Sequence, residues 1–179
     1  HRLDQDTSGL IVVAKTQRAM DALARAFASH ERVEKTYLAV CHGRPRLDSG
    51  RIENMIGRHP VDRKRMAIVR DGRAREAVTH WTVKERFHGI SLIECKLETG
   101  RTHQIRVHMS SIGHPVLGDE VYGGDKCRAA KAHAKYISGQ CLHAYRLELD
   151  HPRTGERMSF EAPLPADMAH LIEIFRQEQ

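Results

Sequence analysis

The sequence predicts an α+β fold with a mostly antiparallel central sheet and flanking helices. Two observations carry this. Strand-like segments outnumber helical ones. They also adjoin one another along the chain, whereas a doubly wound sheet needs strands that alternate with helices. The 179 residues suffice for one domain with one core, so 1–179 is read as a single domain. There is no internal repeat and no low-complexity tract.

The apolar run "LIVVA" (10–14) reads as a buried strand. Thr16 is placed to cap a helix over 17–29, where Met20, Leu23, Ala24 and Phe27 recur at i, i+3, i+4 and i+7. "VEKTYLAVC" (33–41) is a second strand. The stretch 43–75 is rich in Gly, Pro and charge and predicts surface hairpins and loops, including the basic run "RHPVDRKRM" (58–66). Residues 76–87 and 90–98 read as paired strands. In the second, Ile93, Cys95 and Leu97 alternate with Glu94, Lys96 and Glu98, as one buried face requires.

Gly100 breaks that run, and Thr102 is placed to cap a short helix over 103–112. Gly113 and Pro115 suit its C-terminal stop. "GHPVLGDEVYGG" (113–124) is too rich in Gly for anything but a loop, and the basic segment 125–138 is expected to be a mobile insertion. Residues 141–163 read as two strands around a "PRTGE" turn. A last helix, 166–177, places Met168, Leu171, Ile172 and Phe175 on one face.

Composition narrows the partner. The net charge of +6 and pI of about 9.4 favour a polyanion, because Lys and Arg gain by releasing phosphate counterions. No apolar stretch approaches the roughly 20 residues of a membrane-spanning helix, so no membrane partner is expected. The four cysteines form no CxxC pair, which argues against a zinc knuckle. Cys95 and Cys141 lie in apolar, strand-like contexts and read as core, in keeping with a reducing, cytoplasmic compartment. The chain opens without Met in what looks like the middle of a motif, so it is expected to be a piece of a longer one.

Four constellations could carry chemistry. In "HRLDQDTSG", Arg2, Asp4 and Asp6 precede a strand, which anchors the loop. Asp4 is equally readable as a nucleophile, kept charged by an arginine, or as the acceptor of an Asx-turn. For Asp6, next to Thr-Ser-Gly, turn capping is favoured. In "ETGRTHQIRVHMSSIGHP" (98–115), a helix from 103 puts His103, Arg106 and Val107 near one face, with Arg101 just ahead of its N-terminus. That is an anion site, or else a solvated basic helix. Ile105, Met109 and Ile112 mark its buried side and place Arg106 at the core boundary. Tyr37 of "KTYLAV" is a core aromatic or a stacking surface for a base. The basic segments, with Arg58, Arg63, Lys64 and Arg65 in the first, suit phosphate contacts better than base readout, or are solvated surface.

Two other chemistries fit poorly. "DQDTS" resembles the D-x-D pair of aspartate-nucleophile phosphatases, but those need an apolar strand directly before the first Asp. His103 and His108 are five residues apart, not at the i, i+4 spacing of a helical zinc site.

Taken together, "HRLDQDTSGLIVVAK", "KTYLAVCHG" and "LETGRTHQIRVHMSSIGHPVLGDEVYGG" resemble, in order and spacing, the three motifs of the RluA-type pseudouridine synthases. "LHAYRLELDHP" and "FEAPLP" extend the likeness toward the C-terminus, and "GRHPVDRKRMAI" looks most like the RluD branch, which acts on large-subunit ribosomal RNA. The resemblance implies the pseudouridine synthase fold with a catalytic cleft across its sheet. It implies isomerisation of uridine in RNA, without cofactor or metal, by a monomer. Ribosomal RNA is the first expectation; a transfer RNA or dual-specificity enzyme, or a non-catalytic RNA-binding scaffold, is the alternative.

Carried over by position, Asp4 would be the nucleophile, Tyr37 would contact the base and Arg106 would pair with Asp4. Arg2 would fill the space left by the flipped nucleotide. Arg101, His103, Gln104, Arg58, Arg63, Lys64 and Arg65 would contact RNA. Three routes stay open: attack of Asp4 on C1′, attack on C6, or proton removal from the sugar. The family has further strands before "HRLD" and often an S4-type RNA-binding domain, so this chain is expected to lack both.

Overall fold

The computed structural model describes residues 1–178. The elements in order are β1 (Ser8–Gly9), α1 (Gln17–Ser29), β2 (Glu34–His42), β3 (Ser49–Arg58), β4 (Met66–Ile68), β5 (Arg75–Arg86) and β6 (Ile90–Leu97). Then come α2 (Gln104–Ser111), α3 (Arg128–Ala132), a 3-10 turn at Ala134–Tyr136, β7 (Leu142–Asp150), β8 (Arg157–Glu161) and α4 (Ala166–Gln177). The eight strands form one sheet in the order β1-β7-β2-β6-β5-β3-β4, with β8 also on β7. Only β1 runs parallel to its neighbour. The α+β prediction with a mostly antiparallel sheet therefore holds.

Each face of the sheet is covered. Val40, Leu92 and Phe87 pack with Leu171, Ile172 and Phe175 of α4. Ala39, Cys41, Ile93 and Cys95 pack with Ile105 and Met109 of α2 on the other face. This is the period-two alternation of a central strand, apolar on both sides. Burying each large apolar side chain contributes roughly 1.5–3 kcal/mol. Tyr37 belongs to the α2 face. The β2–β7 register shifts between Thr36 and Tyr37, a bulge beside a residue of interest.

Several expectations need correction. Residues 10–14 are not a strand. Leu10 N–H donates to the Ala144 carbonyl at 2.9 Å, and the chain then leaves the sheet. Leu10, Val12 and Ala14 pack onto Leu23, Leu147 and Leu149, while Ile11 and Val13 are 52% and 76% exposed. The segment is half-buried for lack of a partner strand. Thr16 does cap α1, accepting from Ala19 N–H at 3.2 Å, and Leu23 is buried, but Met20 points outward and is half exposed.

The stretch 43–75 does hold an expected hairpin, β3–β4, but its ten-residue β3 is also a member of the central sheet, pairing with β5 from Ser49 to Ile56. Thr102 does not cap α2. His103 holds that position in the left-handed region, φ +56°, and the Thr102 hydroxyl accepts a hydrogen bond from Arg2. The 125–138 segment is a packed element rather than a loose insertion, with Ala130 buried and Tyr136 and Ile137 against the α4 core. The 141–163 hairpin and α4 match expectation.

Candidate active site

The site begins with a turn. Thr7 N–H donates to the Asp4 carbonyl at 3.1 Å, and Asp6 takes the left-handed conformation at φ +67°. Asp and Asn adopt it more readily than most residues. Gly9 follows at φ +110°, and a Cβ there would lie 2.2 Å from the Ala144 carbonyl oxygen, so only glycine lets β1 lie against β7. The amide of Gln140 donates to the Gln5 carbonyl and to Thr7 Oγ1, fixing the turn from outside. His143 donates from Nε2 to the Ala162 carbonyl at 3.0 Å, which leaves Nδ1 to accept from Ser8 Oγ at 2.8 Å. Asp4 is thereby held in front of α2.

Helix α2 is buried almost all round, from Gln104 to Met109, which excludes a solvated basic helix. Its guanidinium, Arg106, is 5% exposed. A charge so buried needs close partners, and two carboxylates supply them. Arg106 Nε and Nη2 donate to the Asp119 oxygens at 2.7 and 3.0 Å, and Nη1 donates to Asp4 Oδ2 at 3.3 Å. Asp119 is the anchor: it is fully buried, and its Oδ1 also accepts from the backbone N–H groups of Val121 and Tyr122. Despite the cost of burial, the bonds to Asp119 and the charges of both aspartates raise the Arg106 pKa above its ordinary value. The Tyr122 ring lies 5.1 Å from the Arg106 guanidinium carbon. Its hydroxyl accepts from Met66 N–H at 2.9 Å and meets His103 Nδ1 at 2.7 Å.

A cleft of about 300 Å³ opens in front of Asp4, walled by Tyr37, Leu97, Leu142, Arg101 and His103 among others. This is the lower end of the usual ligand-pocket range. Burial and the Asp4 charge push the Tyr37 hydroxyl up to about 12, so it is a neutral aromatic wall at neutral pH. Burial and the neighbouring Arg106 lower the His103 pKa, against the opposing pull of Asp4 and Asp119.

Arg2 and Arg101 border this cleft and also a second groove of about 520 Å³, with Arg58, Arg73 and Arg75. Among the described residues, none of these five guanidinium groups has an ion-pair partner, whereas Arg32, Arg86, Arg146, Arg157 and Arg176 do. Unneutralised arginines around a groove suit a polyanion.

The structure thus brings Asp4, Tyr37, Arg2, Arg101 and His103 to one cleft, with Arg106 joined to it through its ion pair with Asp4 and Arg58 on the adjoining groove. Arg63 and Lys64 stand exposed at the tip of the β3–β4 hairpin, apart from the cleft. Arg65 turns inward, its guanidinium carbon 5.6 Å from the Tyr122 ring centroid. Gln104 is fully engaged within the protein. Its oxygen accepts from Thr99 Oγ1 and Arg101 N–H, and its amide donates to Val78 O and Thr79 Oγ1. It has no group left for RNA.

Asp119, Tyr122, Arg73 and Arg75 escape a sequence reading. The available signal is an acid and an aromatic inside a glycine-crowded loop, and a pair of arginines spaced by two at the start of β5.

These features define a basic α+β protein with an arginine-paired aspartate in a cleft and a polyanion groove beside it. The chain belongs to the RNA pseudouridylate synthase family, whose model matches residues 1–111. It is 50% identical over 177 residues to an uncharacterized RNA pseudouridine synthase, YlyB, of Bacillus subtilis, covering 99% of this chain and 55% of that one. It is 48% identical to a ribosomal large subunit pseudouridine synthase D of Zymomonas mobilis, covering 97% of this chain and 55% of that one. Among solved structures, human RNA pseudouridylate synthase domain containing 1 matches with a TM-score of 0.77 and 29% identity, over 98% of this chain and 78% of that one. The chain spans about half the length of the curated relatives it matches.

Proposed function

We propose that this chain carries the catalytic centre of an RNA pseudouridine synthase acting on large-subunit ribosomal RNA, with Asp4 as its nucleophile. The observation that carries the reading is the Asp4–Arg106–Asp119 ion-pair chain at a cleft continuous, through Arg2 and Arg101, with the arginine groove. The relative from Zymomonas mobilis, named as a large-subunit enzyme, supports the substrate class.

The parts divide the work. The groove takes the RNA backbone, since guanidinium groups hold phosphates without regard to sequence. The target uridine leaves its stack at a cost of a few kcal/mol and enters the cleft. Arg2, at the junction of groove and cleft, occupies the vacated space. Tyr37 receives the base on its neutral ring. Asp4 starts cleavage of the C1′–N1 bond, and the ring turns and rejoins through C5. Asp119 carries most of the hold on Arg106, so Asp4 keeps one longer ion-pair contact and stays available for reaction.

The test is release of tritium from C5-labelled uridine in ribosomal RNA fragments. Asp4→Asn and Asp4→Ala are expected to abolish release while RNA binding persists. Release at the wild-type rate by either variant rules out the nucleophile assignment. Release from transfer RNA alone moves the substrate to that class.

A further inference from the structure

Lys35 stands two residues before Tyr37 on β2, opposite Leu97 of β6, and both side chains line the Asp4 cleft. The residue is 8% exposed. Its Nζ makes one hydrogen bond, donated to the Thr99 carbonyl at 3.4 Å. Among the described residues no carboxylate reaches it at ion-pair distance. Lysines this buried are ordinarily paired, and an ammonium has three protons to donate. Two are left over on a side chain that lines the cleft beside Tyr37.

The charges around it define what that ligand should be. Arg101, just before α2, repels it, and His30 at the end of α1 feels both cations. Asp4 and His103 border the cleft. Lys35 also lines a second cavity, with Glu34, Lys96, Glu76, His80 and Glu98, but none of these carboxylates reaches its Nζ. Nζ lies close to Gly100, which lines the cleft with Tyr37, so an acceptor arriving beside Tyr37 meets a positive charge that no carboxylate has neutralised.

Resting on the function proposed above, we propose that Lys35 is a further catalytic residue. Its ammonium donates to a carbonyl oxygen of the target uracil and stabilises the negative charge the ring takes up. When C1′–N1 breaks, the bonding pair leaves with the ring. C5 then bonds to C1′, the C5 proton is lost and N1 takes one up. Lys35 stays protonated throughout, so it acts by charge and hydrogen bonding alone.

Burial and the Arg101 charge hold Lys35 at about 8. The ammonium is thus present at neutral pH and is lost as pH rises through that value.

Single-turnover tritium release and RNA affinity, measured from about pH 6.5 to 9, test the proposal. The wild-type rate is expected to fall above about pH 8. Lys35→Met and Lys35→Gln should lose about 100-fold in rate at neutral pH and lack that fall, with RNA affinity within about threefold of wild type. Lys35→Arg should recover part of the rate and keep it to the alkaline end. A purely structural lysine predicts a lower melting temperature with the pH profile unchanged, and that result overturns the proposal. So does a Lys35→Met rate equal to wild type, or a loss confined to RNA affinity. Should the Met and Gln variants fail to fold, Lys35→Arg carries the test: a rate kept to the alkaline end where the wild type falls supports the proposal, and a profile identical to wild type overturns it. A wild-type chain inactive on every RNA overturns the pseudouridine synthase reading itself, whereas an active wild type with an equally active Lys35→Met overturns this inference alone.

Discussion

Asp119 holds the guanidinium that faces Asp4, and the distances rank the two carboxylates. The bonds to Asp119 are 2.7 and 3.0 Å, and the one to Asp4 is 3.3 Å. Asp119→Ala should leave a buried arginine with one weaker partner and free the Val121 and Tyr122 amides. Breaking such a pair costs about 3–5 kcal/mol, and urea denaturation of the variant should show it. His108 sets an acid limit on stability. It is fully buried between Thr79 Oγ1 and Asn54 Oδ1, and burial lowers its pKa to about 4. Between its ordinary value near 6.5 and that value, the unfolded chain binds a proton that the folded one refuses. Stability therefore falls as pH drops through this window, by up to about 3 kcal/mol from His108. His30 and His103 shift in the same direction, so the difference between wild type and His108→Gln isolates the share of His108. Urea midpoints at pH values spanning the window check it.

The β3–β4 hairpin shows how a strand's length and place in a sheet can hide in a sequence. Its glycines and charges point to a surface hairpin with loops and give no sign of a ten-residue strand in the central sheet. Gly50 lies under the Trp81 indole, where a Cβ would come within 2.6 Å of the ring, and Gly57 meets Val69 at 2.7 Å. The glycines serve close packing inside a strand, and the exposed face takes the charges. The outcome over 10–14 is the converse: an unbroken apolar run without a neighbouring strand forms no ladder and buries only alternate side chains. The same hairpin is tied to the site through Tyr122, whose hydroxyl holds Met66 N–H and meets His103, with Arg65 and Arg106 near its ring. Tyr122→Phe removes the hydroxyl and keeps the ring. It should cost about 1–2 kcal/mol and speed amide exchange around Met66, with α4 protection unchanged. Unchanged exchange at Met66 would show that the hydroxyl does not restrain the hairpin.

At the scale of the whole molecule, the surplus of positive charge has a location. Arg2, Arg58, Arg73, Arg75 and Arg101 border one groove beside the cleft. Binding of a ribosomal RNA fragment should weaken steeply with salt, with log K falling by roughly 0.7–0.9 per phosphate neutralised for each unit of log salt. Arg73→Gln and Arg75→Gln should each reduce that slope by about one, without altering which uridine is modified. Arg128→Gln, away from the groove, should leave it unchanged. Equal slopes in all three variants would remove the groove from the RNA path.

The sequence by itself determined the chemical parts and the general architecture. Asp4, Tyr37 and Arg106 lie in contiguous runs whose order and spacing can be read directly, and strong periodicity located α1, β6 and α4. Only the tertiary structure decided how those parts are held. Which of the chain's carboxylates anchors Arg106 depends on how the 113–124 loop folds back over α2, and nothing local to residue 119 announces it. The same holds for the arginine groove, assembled from segments far apart in the chain, and for Lys35, whose lack of a carboxylate partner among the described residues is visible only once its neighbours are in place. An ion pair or an unpaired charge is a relation between distant groups at a few ångströms, and chain folding alone sets that distance.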